Sequence, residues 1–155
     1  MASSEEITAL ISTFTLNEAL FGIDTANVQE IVPCGQVTPV HRAPAYIRGV
    51  INLRGQIFTV VDLARRLGFT RASGEPVDGP EGYIIIVSWQ HEHIGLLVEQ
   101  VSDVIPFERE ALQPLPANLS SLQREYIRGI YQTAYRPAAV LDVDSVLAVR
   151  AGDSA

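Results

Sequence analysis

Residues 46–67 read YIRGVINLRGQIFTVVDLARRL. Ile47, Val50, Ile51 and Leu53 form an apolar segment that ends in a polar turn, Arg54-Gly55-Gln56. The run Ile57-Phe58-Thr59-Val60-Val61 is β-branched and aromatic, the pattern of a mostly buried strand. Asp62 then caps a short helical turn, LARRL, which Gly68 stops. The stretch therefore predicts a cation, Arg54, carried on a turn between two strands of a packed sheet.

The same pattern occurs again. Residues 126–147, YIRGIYQTAYRPAAVLDVDSVL, align with the first copy at a constant offset of 80 without a gap, identical at seven of 22 positions. Random pairing at ordinary composition gives roughly one or two. An upstream block repeats at an offset of 73. Gly22, Val28, Ile31 and Pro33 of GIDTANVQEIVP face Gly95, Val101, Val104 and Pro106 of GLLVEQVSDVIP. The chain is read as two related halves, about 7–70 and about 83–148, inside one domain of residues 7–150. Residues 1–6 and 151–155 are read as tails, and the Gly-, Pro- and acid-rich segment 71–82 as the linker between halves.

Composition narrows the function. The 155 residues fit one compact domain or two small intimate ones, and nearly half are hydrophobic. A formal charge of −7 argues against nucleic acid, whose phosphates need a Lys/Arg face. Nowhere do 18 apolar residues run together, so no membrane insertion is expected, and the opening MASSEE has no signal-peptide character. A single cysteine, Cys34, builds neither an internal disulfide nor a multi-cysteine metal site. The expected setting is the cytoplasm.

Two hairpins stand out. In the first, 7–16 and 19–24 flank Asn17-Glu18; in the second, 83–89 and 93–98 flank Gln90-His91-Glu92. The stretch after each, ANVQEIVP or EQVSDVIP, has the spacing of either a one-turn helix or a bent strand, ended by Pro33 or Pro106. Between the second such stretch and the second copy, 119–125 carries a short helix capped by Asn118. The count is eight to ten short strands with little helix, a mainly β fold. Two halves of about five strands, each closing as a small barrel, satisfy the sheet edges best.

The ordered motifs GIDTANVQEI, PAYIRGVINLRG and VVDL resemble the CheW family of bacterial chemotaxis coupling proteins, over residues 10–148. The resemblance implies two intertwined five-stranded SH3-like barrels with a hydrophobic core between them. It also implies a scaffold with no catalytic activity and no cofactor. Such a scaffold links the cytoplasmic tips of chemoreceptors (methyl-accepting chemotaxis proteins) to the CheW-like regulatory domain of a histidine kinase. Val28 and Glu30 match the VQEI motif and Arg54 matches the arginine of NLRG, positions the family uses for receptor coupling. Exposed apolar residues at strand ends of the first half would contact the kinase. Thr59 stands where relatives usually carry proline, and Ala134-Tyr135 stands where the first copy has Arg54-Gly55.

Other residues invite competing readings. Arg54 is either a hot-spot anchor or a solvated turn residue, and the motif context favours the anchor; Glu30, of opposite charge, is its expected partner. Arg48 and Arg128, duplicated before Gly49 and Gly129, are read as serving the fold, with each glycine permitting a bulge or bend. His91 and His93 flank Glu92 but lack a nearby third nitrogen or sulfur ligand. Asp62 and Asp142 end strands as a phosphoacceptor would, yet the alternating helices of a receiver domain are missing, so both are read as helix caps. Behind the chemosensory adaptor stand an adaptor of a non-flagellar pathway, a small-molecule-binding regulatory barrel, and a receiver-like domain.

Overall fold

A computed structural model describes residues 9–69, 73 and 82–148. The segment 71–82 lies almost wholly outside the described residues, as do both tails. Among the described residues ten strands form: β1 (Ala9–Leu16), β2 (Ala19–Asp24), β3 (Val28–Pro33), β4 (Ile47–Leu53), β5 (Gln56–Asp62), β6 (Tyr83–Trp89), β7 (Glu92–Val98), β8 (Gln100–Phe107), β9 (Ile127–Gln132) and β10 (Pro137–Leu141). Among the described residues three short α-helices accompany them: α1 (Leu63–Arg66), α2 (Ser121–Tyr126) and α3 (Val143–Leu147). None of the described helices is long and apolar enough to cross a membrane.

The strands make two five-stranded sheets, ordered β8-β1-β2-β10-β9 and β3-β6-β7-β5-β4. Each is an SH3-like barrel, and each takes strands from both halves. The first barrel holds the β1–β2 hairpin of the first half with β8, β9 and β10 of the second. The second barrel holds β6–β7 of the second half with β3, β4 and β5 of the first. This corrects the expectation that each half closes on itself. Only the 3-10 turn Thr25–Asn27 separates β2 from β3, and β3 runs on to pair with β6, while β8 takes the matching place beside β1.

The repeat is exact to the register. Ile11 faces Asp24 and Ile105, and 73 residues on, Ile84 faces Leu97 and Val32. Val60 faces Gly49 and Gly95, and Val140 faces Gly129 and Gly22. In both copies the ladder slips at the arginine before the glycine, so Arg48 and Arg128 are bulge residues. Gly49 has a φ of +151°, and a Cβ there would lie 2.1 Å from the Thr38 carbonyl oxygen. No larger residue fits. Asp62 and Asp142 cap α1 and α3, accepting from the amides of Arg65 and Asp144.

Two local expectations are corrected. The helix predicted at 119–125 begins at Ser121, because Ser120 and Gln123 complete a reciprocal capping box that Asn118 cannot supply. Strand β8 continues one residue past Pro106, which is tolerated because β8 is an edge strand.

Three apolar clusters follow from the pleat. Ile84 and Ile86 point into the second barrel with Ile51, Val60 and Leu97. Their neighbours Ile85 and Val87 point the other way, into a central cluster between the barrels with Phe14, Phe21, Leu63 and Tyr126. Strand β6 is thus buried on both faces, which explains its unbroken IIIV. A smaller cluster, Ile11, Phe107 and Val140, fills part of the first barrel.

Arg66 sits in this seam, only 5% exposed. Its Nε donates to the Val146 carbonyl and its Nη2 to the Ala148 carbonyl, each at 2.6 Å. The guanidinium carbon lies 4.2 Å from the Tyr46 ring centre and 5.3 Å from that of Tyr126. Arg66→Ala leaves two carbonyls without their charged donor and is expected to cost at least about 2 kcal/mol. Arg66→Lys restores only part of it, since a compact ammonium lacks the spread planar donors of a guanidinium and its flat face toward the two tyrosine rings. Urea unfolding monitored by circular dichroism checks this: a loss below about 0.5 kcal/mol would mean the contact is not a clamp.

Candidate functional site

Strands β3 and β4 are the two edges of the second barrel. The β4–β5 loop has only two residues, Arg54 and Gly55, both with positive φ (54° and 85°). That is the hairpin turn whose twist matches the flanking strands. The Asn52 carboxamide oxygen accepts from the Gly55 amide at 3.0 Å and fixes the loop. The turn therefore presents the Arg54 side chain from a defined backbone, in a conformation a non-glycine residue seldom adopts.

Arg54 reaches across to β3. Its Nη1 donates to Glu30 Oε2 at 3.0 Å, and its Nη2 donates to Glu30 Oε1. The forked pairing sits at the surface, with the Arg54 side chain 67% and that of Glu30 35% exposed. The expected partnership is therefore present. The Arg54 hydrogen bonds hold the Glu30 carboxyl below its usual range, and Glu30 in turn raises the Arg54 guanidinium.

Val28 is placed differently. Between Val28 and Glu30 the ladder with β6 slips by one residue, so Val28 faces Val87 while Glu30 faces Ile86. Those two β6 residues point to opposite sides, and Val28 packs, half-buried, against the central cluster. The structure thus brings Glu30 and Arg54 together and turns Val28 the other way, toward the central cluster. Residues the motifs did not single out lie nearby. Ile57, directly after the turn, is 61% exposed although its run reads as a mostly buried strand, and Ile31 on β3 is exposed. Strand alternation is the only signal for either, and the ends of β3 and β5 are where it is weakest.

The other candidates have structural surroundings. Arg48 donates to Asp62 at 2.9 Å, in line with a fold role, whereas Arg128 is exposed. His93 stands edge-on to the Phe58 ring at 5.9 Å. Cys34 packs against the cluster of the second barrel.

Comparison with known proteins places this geometry. The family profile described as a CheW-like domain matches residues 11–151. The chain belongs to the CheW family. A chemotaxis protein CheW of Treponema pallidum is 33% identical over 143 residues, 92% of this chain and 84% of that protein. The CheW of Rhizobium meliloti is 35% identical over 133 residues, covering 86% and 83%. The crystal structure of the scaffolding protein TtCheW from Thermoanaerobacter tengcongensis superposes with a TM-score of 0.79 at 28% identity, covering 95% of this chain and 97% of that one. CheW proteins are non-catalytic chemotaxis scaffolds, and this chain is one of them.

The Glu30–Arg54 pair has a measurable signature in this CheW-like protein. A carboxyl with a lowered folded-state pKa adds stability above its unfolded pKa and loses it as pH falls through the folded value. In an NMR titration the Glu30 carboxyl is expected to titrate below the ordinary glutamate range in the wild type and to return toward it in Arg54→Ala. Equal midpoints in both proteins would show the pairing absent in solution.

Proposed function

We propose that the face formed by Glu30 and Arg54, together with Val28 at the start of β3, couples this scaffold to the cytoplasmic tips of chemoreceptors. A separate apolar surface at strand ends of the first half, centred on Ile57, binds the CheW-like regulatory domain of a chemotaxis histidine kinase. The work takes place in the cytoplasm, at the inner face of the receptor array. The observation that carries this reading is the forked Glu30–Arg54 link. It ties the two edge strands of one barrel together while keeping a guanidinium at the surface, pre-oriented for a further acidic or carbonyl acceptor. Pre-orientation matters because less side-chain entropy remains to be lost on binding. An exposed isoleucine supplies the apolar contact that a charged turn cannot.

Titration calorimetry against the regulatory domain of the kinase from the same organism separates the two surfaces. Wild type is expected to bind saturably, and Ile57→Asp to weaken that binding at least tenfold, as loss of a central apolar anchor does. Arg54→Ala should leave kinase binding unchanged while reducing co-sedimentation with receptor-containing membranes. If Arg54→Ala weakened both equally, or neither, the assignment of separate faces would fail.

A further inference from the structure

The internal repeat gives each position of one barrel a counterpart in the other, so the two can be compared residue by residue. In the second barrel the space between the edge strands is crossed by Glu30 and Arg54. The counterpart of Glu30, 73 residues on, is Asp103 on β8; that of Arg54, 80 residues on, is Ala134 in the β9–β10 loop. The carboxylate is kept and the guanidinium is gone. The interior changes in the same sense. Ile86 becomes Thr13, Leu53 becomes Thr133 and Phe58 becomes Ala138, each smaller or more polar. Phe107 and Tyr131, larger than their counterparts Cys34 and Ile51, meet edge to face at 5.2 Å and fill only part of this barrel.

A cavity of about 510 Å³ lies where the missing link would be. Asp103 and Ile105 of β8 line one side of it, Tyr131 and Tyr135 the other, with Thr13 between. The Thr13 hydroxyl donates to the Asp103 carbonyl at 2.7 Å and accepts from the Asp103 amide at 2.9 Å. This fixes the backbone that carries the carboxylate. Among the described residues Asp103 makes no ion pair, and Arg136 at the rim turns its Nη1 to the Glu18 carbonyl at 3.2 Å.

We propose that this gap receives an arginine side chain presented by a partner protein, which pairs with Asp103 as Arg54 pairs with Glu30. The apolar walls suit the methylene stem and the carboxylate suits the planar fork. A polypeptide is the occupant rather than a free small cation, because the cavity opens onto exposed aromatic surface: Tyr135, which lines it, is 88% exposed. This site is on the other barrel from the Glu30–Arg54 face and does not depend on the function assigned to that face.

The test uses the intact protein and a probe copied from its own second barrel. A cyclised peptide containing Asn-Leu-Arg-Gly-Gln-Ile is titrated into labelled protein, with amide shifts followed by NMR, alongside the same peptide carrying citrulline for arginine. The expected result is saturable shifts confined to Thr13, Asp103 and residues 131–136. The citrulline peptide, and Asp103→Asn with the arginine peptide, should each bind about tenfold more weakly, as loss of a charge-assisted hydrogen bond requires. Ala134→Arg supplies the missing guanidinium internally and should abolish binding with the spectrum still dispersed, whereas Ala134→Gln should not. Three results would overturn the proposal. They are shifts absent or elsewhere, Asp103→Asn binding within twofold of wild type, and N-acetyl-arginine amide alone binding as tightly as the peptide. The last would make the cavity a small-cation site instead.

Discussion

A buried cation at the seam holds the two halves of this fold in register. Arg66 lies between Tyr46 and Tyr126, which occupy the same place in the two copies, and it bonds to the carbonyl of Val146, its own counterpart 80 residues on. A residue that touches its own counterpart marks the axis relating the copies. Burying a guanidinium is costly unless every donor direction is answered. Here the answers come from two aromatic faces and from carbonyls at the end of α3 that lack partners within the helix. The charge therefore works as a terminal cap for the second half, delivered by the first.

Around that axis the apolar layers follow directly. The central cluster is shared property: Phe14 and Phe21 come from the first hairpin, Ile85 and Val87 from the second, and Tyr126 and Leu141 from the second copy of the motif. Each barrel is thus built against the other. Surface features can then differ between them without disturbing the frame, and they do: one barrel carries a closed charged link at its edge, and the other an open cavity at the same place.

Much of this is legible in the residues. The offsets of 73 and 80 are visible because paired positions such as Gly22/Gly95 and Gly49/Gly129 are constrained by close packing, and the ladders repeat at those offsets. The pairing of Glu30 with Arg54 follows from opposite charge and motif position. The exchange of hairpins is not legible in local pattern. Alternation in β3 says which face is buried but not whether its neighbour is β1 or β6, and the motif resemblance alone pointed to intertwining. The orientation of Val28 was hidden for a related reason. A one-residue bulge between Val28 and Glu30 reverses the alternation, and nothing in the side chains of VQE announces it. Ile57 was hidden because a β-branched residue next to a turn reads the same whether it is buried or bare.

The exchanged hairpins have the form of a dimer fused into one chain. A single half would present β1 and β2 with no third strand beside them, and three further strands with no hairpin to complete their sheet. Two identical halves trading hairpins would satisfy both needs, in the manner of a domain-swapped pair. Stability of such a pair would rise and fall with protein concentration. Joining the halves replaces a bimolecular encounter with closure of a linker, so assembly no longer depends on how much protein is present. Fusion also ends the symmetry that identical subunits must obey. Once both copies lie on one chain, Arg54 can be kept in one barrel while alanine stands in the other, and a single molecule can offer two different edges.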